Sequence, residues 1–301
     1  MTIAKLNSTQ GTKAPDNSVS LRRRTLGLGA FMRKYELAAV GATFFGLVVL
    51  AAIFAPWLTP YDPVAVNIPG RLLPPSAAHW FGTDEFGRDI FTRILFGARP
   101  VLTTGFLSVL SALLVGTTIG AISGYRGGWL DEILMRLMDI MLSFPAILLA
   151  ILIVAALGVG LTNTIIAIAF SMIPTFARLA RSIVLSLVHE QFVLAAHAVG
   201  AGAWWIMTRH ILPNMSPPLI VQSTAMLAIA VSYSAALSFL GLGVEPPTPD
   251  WGKMVSEGQR LIFDAIHIPF FPGLAITLTI LSVNYLGDGL RDHLDPRLKN
   301  R

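Results

Sequence analysis

The spacings that enzyme chemistry needs are missing from this chain. Its six histidines are scattered, and neither a His-Glu-x-x-His pair for zinc nor a Gly-x-Ser-x-Gly elbow for a nucleophilic serine occurs. Cysteine is absent, which removes disulfides, thiolate metal sites and a cysteine nucleophile, and leaves the redox compartment unread. The one Gly-Lys pair, Gly252-Lys253, is followed by Met254 and cannot form the Gly-x-x-x-x-Gly-Lys-[Ser/Thr] cradle for a nucleotide phosphate. No catalytic residue and no metal ligand is assigned, and no cofactor is expected on this chain. What the residues offer is mechanical. Between long apolar stretches lies Gln191–Asn214, with Ala195-Ala196, then Gly200 four residues on, Ala201, and Ile211-Leu212-Pro213. Very small side chains from Ala195 to Ala203 on a short helix let a partner approach closely. Gly200 permits a positive φ, and Pro213 ends or restarts the helix. A plainer reading is an amphipathic connector with Trp204 and Trp205 at the lipid headgroups.

The elements around this stretch are apolar. Of 301 residues, 54% are hydrophobic and 13% charged, and the mean hydropathy is +0.66. That leaves too few polar side chains to coat a water-soluble globule of this size, so the chain belongs in a bilayer. Its net charge of +5 is spread over the ends of apolar runs and builds no basic patch, so the expected partner is membrane lipid and not nucleic acid. Six runs are long enough to cross as helices: Leu37–Leu58, Val101–Ser123, Met138–Leu157, Leu161–Ile183, Pro218–Leu240 and Pro269–Leu286. A barrel would need short segments of alternating polarity, which these are not. The expected fold class is an all-α polytopic membrane protein of six transmembrane helices.

Residues 1–36 read as a cytoplasmic tail, polar over its first twenty positions. Ser20–Leu26 has the look of a twin-arginine signal, but the apolar stretch behind it stops at Arg33-Lys34. Residues 37–301 form the transmembrane domain. With both termini inside, sixteen Lys and Arg residues fall on the inner side and six on the outer, the bias expected of a cytoplasmic face. This orientation puts the loops at about 60–100 and 241–268 outside and 188–217 inside.

The frame Ala195-Ala196-x3-Gly200 with Leu212-Pro213 resembles the EAA loop of permease subunits in bacterial ATP-binding-cassette importers. Leu194 stands where that pattern has Glu. Other segments narrow the resemblance to the C-type permeases of dipeptide, oligopeptide and nickel importers, over nearly the whole chain after residue 30. They are His79–Asp84 with Gly87-Arg88-Asp89, Gly124–Gly128, Met135–Asp139, Ser238–Gly243, Pro246–Gly252 and Gly287–Asp292. The resemblance implies a type I importer permease fold in the bacterial inner membrane. It further implies a homologous B-type permease as the other half of the pore, two ATPase subunits that hold ATP and Mg, and an extracytoplasmic solute-binding protein. The implied ATPase-coupling residues are Ala195, Ala196, Gly200, Ala201 and Pro213. Peptides are the implied cargo, with nickel, glutathione or opine-like solutes as alternatives.

Three further sets are expectations. In the outer loops, Asp84, Arg88, Asp89, Asp250 and Trp251 are candidates for the face that meets the binding protein, while Asp84, Arg88, Asp89 and Arg93 also suit charges that hold the loop together. Gln222, Ser223, Ser232, Tyr233, Thr279, Ser282 and Asn284 are candidates for the translocation path or for glue between helices. Asp139 is expected near the first turn of the third span, paired with Arg136. An ion-coupled secondary carrier is the reading from another class, but the spans hold no central carboxylate and Pro145 and Pro174 read as kinks, not breaks.

Overall fold

A computed structural model describes residues 36–294. The expected tail, apart from Glu36, and the arginine run at 22–24 lie outside the described residues. Ten α-helices follow in order: α1 (Glu36–Leu58), α2 (Ile90–Arg126), α3 (Gly128–Leu142), α4 (Ala146–Leu157), α5 (Leu161–Leu187), α6 (Gln191–Ala198), α7 (Ala203–Ile206), α8 (Leu212–Phe239), α9 (Trp251–Gly258) and α10 (His267–Leu294). Among the described residues there is no strand beyond one isolated bridge between Thr83 and Asp89.

Five helices are long and apolar enough to cross a membrane, and the pair α3 and α4 supplies the sixth crossing in bent form. Here the structure corrects the sequence reading. The third span is not one helix over Met138–Leu157: it breaks at Ser143–Pro145, and its halves meet at 89°. Pro145 has no N–H to continue the ladder, and its ring pushes the preceding residue out of helical geometry. Pro174, in contrast, stays inside an unbroken α5. The second span starts eleven residues earlier than expected, because the Asp89 side chain accepts from the Thr92 amide at 2.8 Å and caps a helix beginning at Ile90.

The centre of the bundle is the seam between α2 and α5. Gly116, Gly120 and Gly124 form a stripe on α2 against the carbonyls of Ile173, Ala177 and Arg181 on α5. A Cβ added at Gly120 would lie 2.1 Å from the Ala177 oxygen. Only absent side chains let two backbones approach so closely, and in lipid this packing, not water exclusion, holds helices together. On the flank, α1 packs on α10 through Gly41, where a Cβ would sit 2.6 Å from the Ser282 oxygen.

One end of the bundle carries the α6–α7 segment. The other carries a cap made of residues 59–89 and α9. Gly160 N donates to Gly243 O at 3.1 Å, which sets the α4–α5 turn at the cap end. Trp251, the first residue of α9, is buried and donates from Nε1 to Ile94 O at 2.8 Å, pinning the cap to the head of α2.

Candidate functional site

The end opposite the cap bears the most unusual surface. α6 closes with Gly200 N donating to His197 O at 2.9 Å and Ala201 N donating to Ala196 O at 3.0 Å, while Gly200 takes φ +81°. That is a Schellman ending, and it explains the spacing Ala196-x3-Gly200: the glycine occupies the one left-handed position of the motif. Val193, Ala196, Ile206 and Ile211 are buried and tie the segment to the bundle core. Ala195 and Gly200 are exposed, Ala201 is half-buried, and Pro213 is exposed in the first turn of α8. Ala196, three residues after Val193, shares the inward face and is mostly buried, yet it still contributes to the lining of a concavity beside Gly200. Between Phe192 and Trp205 this open concavity of about 670 Å³ is floored by Ala195, Gly200 and Gly202. Leu194, Val199 and Trp204 stand exposed around it. α7 then runs through a wider π-helical turn, Met207–Ile211, straight into α8, so Ala203–Phe239 forms one continuous 37-residue run.

In the cap, the five residues expected to meet a binding protein are all buried, at 1–8% exposure. Asp84 accepts from the amides of Phe86 and Arg88 and, at 2.6 Å, from Arg88 Nε. Asp89 takes His79 Nδ1 at 2.9 Å on one oxygen and Thr92 on the other. Asp250 caps α9 through the Lys253 amide at 3.2 Å. Burial holds the Asp250 carboxyl above the usual carboxylate range, opposed by bonds from the amides of Lys253 and Gly252 and from Ser238. These side chains build the cap from within, because buried charges must be paired. They do not form its surface.

The polar residues expected along a path divide. Gln222, Ser223, Ser232 and Tyr233 are half-buried on α8, and Asn284 is exposed on α10. Thr279 and Ser282 are buried, with hydroxyls donating to Ala275 O at 2.7 Å and Thr279 O at 2.7 Å. Both are taken up by their own helix and by packing, so the structure removes them from a lumen.

Two ion pairs at the loop end escaped the sequence reading. Asp139 is in the last turn of α3, not the first turn of a span, and it accepts from Arg178 on α5, not from Arg136. Eight residues earlier, Asp131 is held bidentately by Arg181 at 2.6 Å on each oxygen and also receives the Ser123 hydroxyl. Separations of 39 and 50 residues hide such partners from local spacing. The readable signal was two arginines three apart inside an apolar run. No group of metal-ligating side chains occurs among the described residues.

Residues 116–300 match the model of the family described as "Binding-protein-dependent transport system inner membrane component". The chain belongs to that family. Residues 32–75 match the N-terminal transmembrane domain of oligopeptide transport permease C. The permease is 51% identical over 269 residues to the dipeptide transport system permease protein of Alkalihalophilus pseudofirmus, covering 89% of this chain and 88% of that one. It is 45% identical over 271 residues to a glutathione transport system permease protein of Pectobacterium atrosepticum, covering 90% of each. A probable D,D-dipeptide transport system permease protein of Escherichia coli K12 is 45% identical over 261 residues, 87% of this chain and 88% of that one. Among solved structures, an inward-facing form of the MetNI methionine ABC transporter superposes with TM-score 0.56 at 18% identity, over 67% of this chain and 96% of that one, a likeness of fold. The permease is thus a multi-pass, pore-forming subunit of a bacterial ABC importer with the type I fold. It works with a partner permease, ATPase subunits that hydrolyse ATP, and a binding protein.

Proposed function

We propose that this permease imports di- and oligopeptides, with the α6–α7 segment as its coupling element and the cap end facing the binding protein. The continuous run Ala203–Phe239 carries the reading. A partner ATPase that grips the concavity beside Gly200 moves α7, and α7 cannot move without α8. At its far end α8 abuts the cap, where a Cβ on Gly252 would lie 2.2 Å from Ala235 O. Force applied at one end is therefore passed to the other along one unbroken helical run. Nucleotide-dependent closure of two ATPases, which hold ATP and Mg, biases the equilibrium because their grip on the loop differs between their two states.

The basic-residue bias supports a cytoplasmic loop end and cytoplasmic termini. Ala195, Gly200, Ala201 and Pro213 then meet an ATPase, with Ala196 beneath them. A homologous B-type permease supplies the other half of the pore, and the exposed parts of the cap receive the binding protein. Gln222, Ser223, Ser232, Tyr233 and Asn284 are the path candidates that remain. The dipeptide and D,D-dipeptide relatives support a peptide cargo. The glutathione relative supports a second reading within the same chemistry, since glutathione is itself a peptide. The test is reconstitution of this chain with its partner permease, ATPases and binding protein in proteoliposomes, using labelled dipeptide, labelled glutathione and nickel. Peptide uptake that requires ATP is expected. Uptake driven by an ion gradient without the ATPases would defeat the importer mechanism, and nickel as sole cargo would defeat the peptide assignment.

A further inference from the structure

At its cytoplasmic end the permease has a half-open cleft of about 360 Å³ between α3 and α5, lined by Met135, Asp139, Arg178 and Arg181. Its position follows from the break at Pro145. α4 has twelve residues, about 18 Å of helix, too short for a ~30 Å hydrocarbon core. α3, set at 89° to it, therefore lies across the inner end of the crossing and not in line with it.

The two ion pairs that join α3 to α5 differ in kind. Asp131–Arg181 is bidentate, has Ser123 as a third partner, and its carboxylate is 15% exposed. That pair is a strut. Asp139–Arg178 is a single contact whose side chains are 46% and 52% exposed, and both line the cleft. An exposed, single-contact pair of this sort opens at little cost. With Arg181 committed to Asp131, the cleft offers one exchangeable carboxylate and one exchangeable guanidinium.

We infer that Asp139 and Arg178 form an exchange site for zwitterions at the inner mouth. The site takes the substrate's carboxylate on Arg178 and its ammonium on Asp139 before release. This rests on the peptide reading above, because a peptide with free termini carries one charge of each sign. Swapping one internal pair for two substrate pairs keeps every charge partnered throughout. An ion of one sign, or a peptide with a blocked end, would leave Asp139 or Arg178 alone. Guanidinium is the donor suited to a carboxylate, which it meets in a planar fork.

The whole transporter in proteoliposomes tests this. The binding protein and labelled dipeptide are sealed in the lumen, with the ATPases and ATP outside. Unlabelled alanyl-alanine, its N-acetyl form or its C-terminal amide is then added on the ATPase side, where the luminal binding protein does not meet it. In the wild type the free dipeptide should slow ATP-driven transfer at concentrations about threefold below either blocked form, the worth of one half-exposed ion pair. Asp139→Asn should erase its advantage over the acetyl form, and Arg178→Gln its advantage over the amide. Arg178→Lys, which keeps the charge, should retain most of it. Arg181→Gln, which removes the strut, should lower the yield of assembled transporter with no preference among the peptides. Equal inhibition by all three peptides in the wild type overturns the site, as does an equal loss for all three in Asp139→Asn and Arg178→Gln. Absence of ATP-driven dipeptide transfer before any competitor is added overturns the peptide reading instead.

Discussion

Arg99 Nε donates to the carbonyl oxygen of Ala52 at 2.6 Å, and Ala52 is four residues before Pro56. Pro56 has no N–H, so the Ala52 carbonyl, on a buried residue, has lost its helical partner and needs another donor. A charged side chain inside the second helix thus has a plain duty: it completes the ladder of the first, with a further donation from Nη2 to Ile53 O at 3.2 Å. Arg99→Met should destabilise the chain by about 1–3 kcal/mol, the cost of a buried acceptor left unmet. Most of that loss should vanish in a Pro56→Ala background, whose restored amide serves the carbonyl. Thermal unfolding of the four proteins of this cycle in detergent reads the coupling, and additive effects would deny it.

Gly120 carries the tightest contact in the α2–α5 seam. Alanine there would place its Cβ 2.1 Å from the Ala177 oxygen, and neither helix backbone has a flexible end to give way. Gly120→Ala should cost about 1–3 kcal/mol as overpacking, and Gly120→Leu should abolish folding. Gly46→Ala, with nothing within 4 Å of the new Cβ, should be neutral or mildly stabilising. Protease resistance of the membrane-inserted chain separates these outcomes.

How much of this was legible in the sequence depends on whether the signal is local. The apolar runs that become α1, α5, α8 and α10 could be read directly, because burial in lipid leaves a length and composition signature. The helix-closing role of Gly200 was also legible, since a left-handed residue and a four-residue spacing are properties of a single turn. The first turns of α2 were missed because Asp89, Arg93 and Arg99 look like loop residues until the cap and the Ala52 carbonyl, orphaned by Pro56, are seen to use them. The break at Pro145 was misread because proline permits either a kink or a stop, and tertiary packing decides which. The pairing of Asp139 with Arg178 was out of reach because nothing in the spacing of α3 encodes where α5 lies.

Asp250 should make cap stability depend on pH. Burial raises its carboxyl above the ordinary range, so the folded cap holds the proton more tightly than the unfolded chain does. Stability is therefore fullest below the ordinary carboxylate pKa and declines as pH rises through the raised value. Asp250→Asn keeps an acceptor for the Lys253 amide but cannot ionise. Its unfolding temperature should exceed the wild type's at pH 8, with the margin closing toward pH 4. A margin independent of pH would mean that the wild-type carboxyl does not titrate in this range.

Gly200 should separate assembly from coupling. Its φ of +81° suits glycine, and no atom lies within 4 Å of the position a Cβ would take, so a larger residue meets backbone strain but no clash inside the subunit. Gly200→Ala should cost about 1 kcal/mol in local stability through the left-handed position alone. Gly200→Trp adds bulk at the floor of the 670 Å³ concavity, where a partner would have to seat. Because Val193, Ile206 and Ile211 hold the loop from beneath, the substituted chain should still insert and pair with its partner permease. ATP-driven uptake should fall at least tenfold, the effect of losing about 1.4 kcal/mol of contact, while the ATPases retain nucleotide hydrolysis. Measuring uptake and hydrolysis on the same proteoliposomes decides the matter. Unchanged uptake in Gly200→Trp would remove this loop from the coupling path, whereas loss of the assembled complex would assign Gly200 to docking strength and not to transmission.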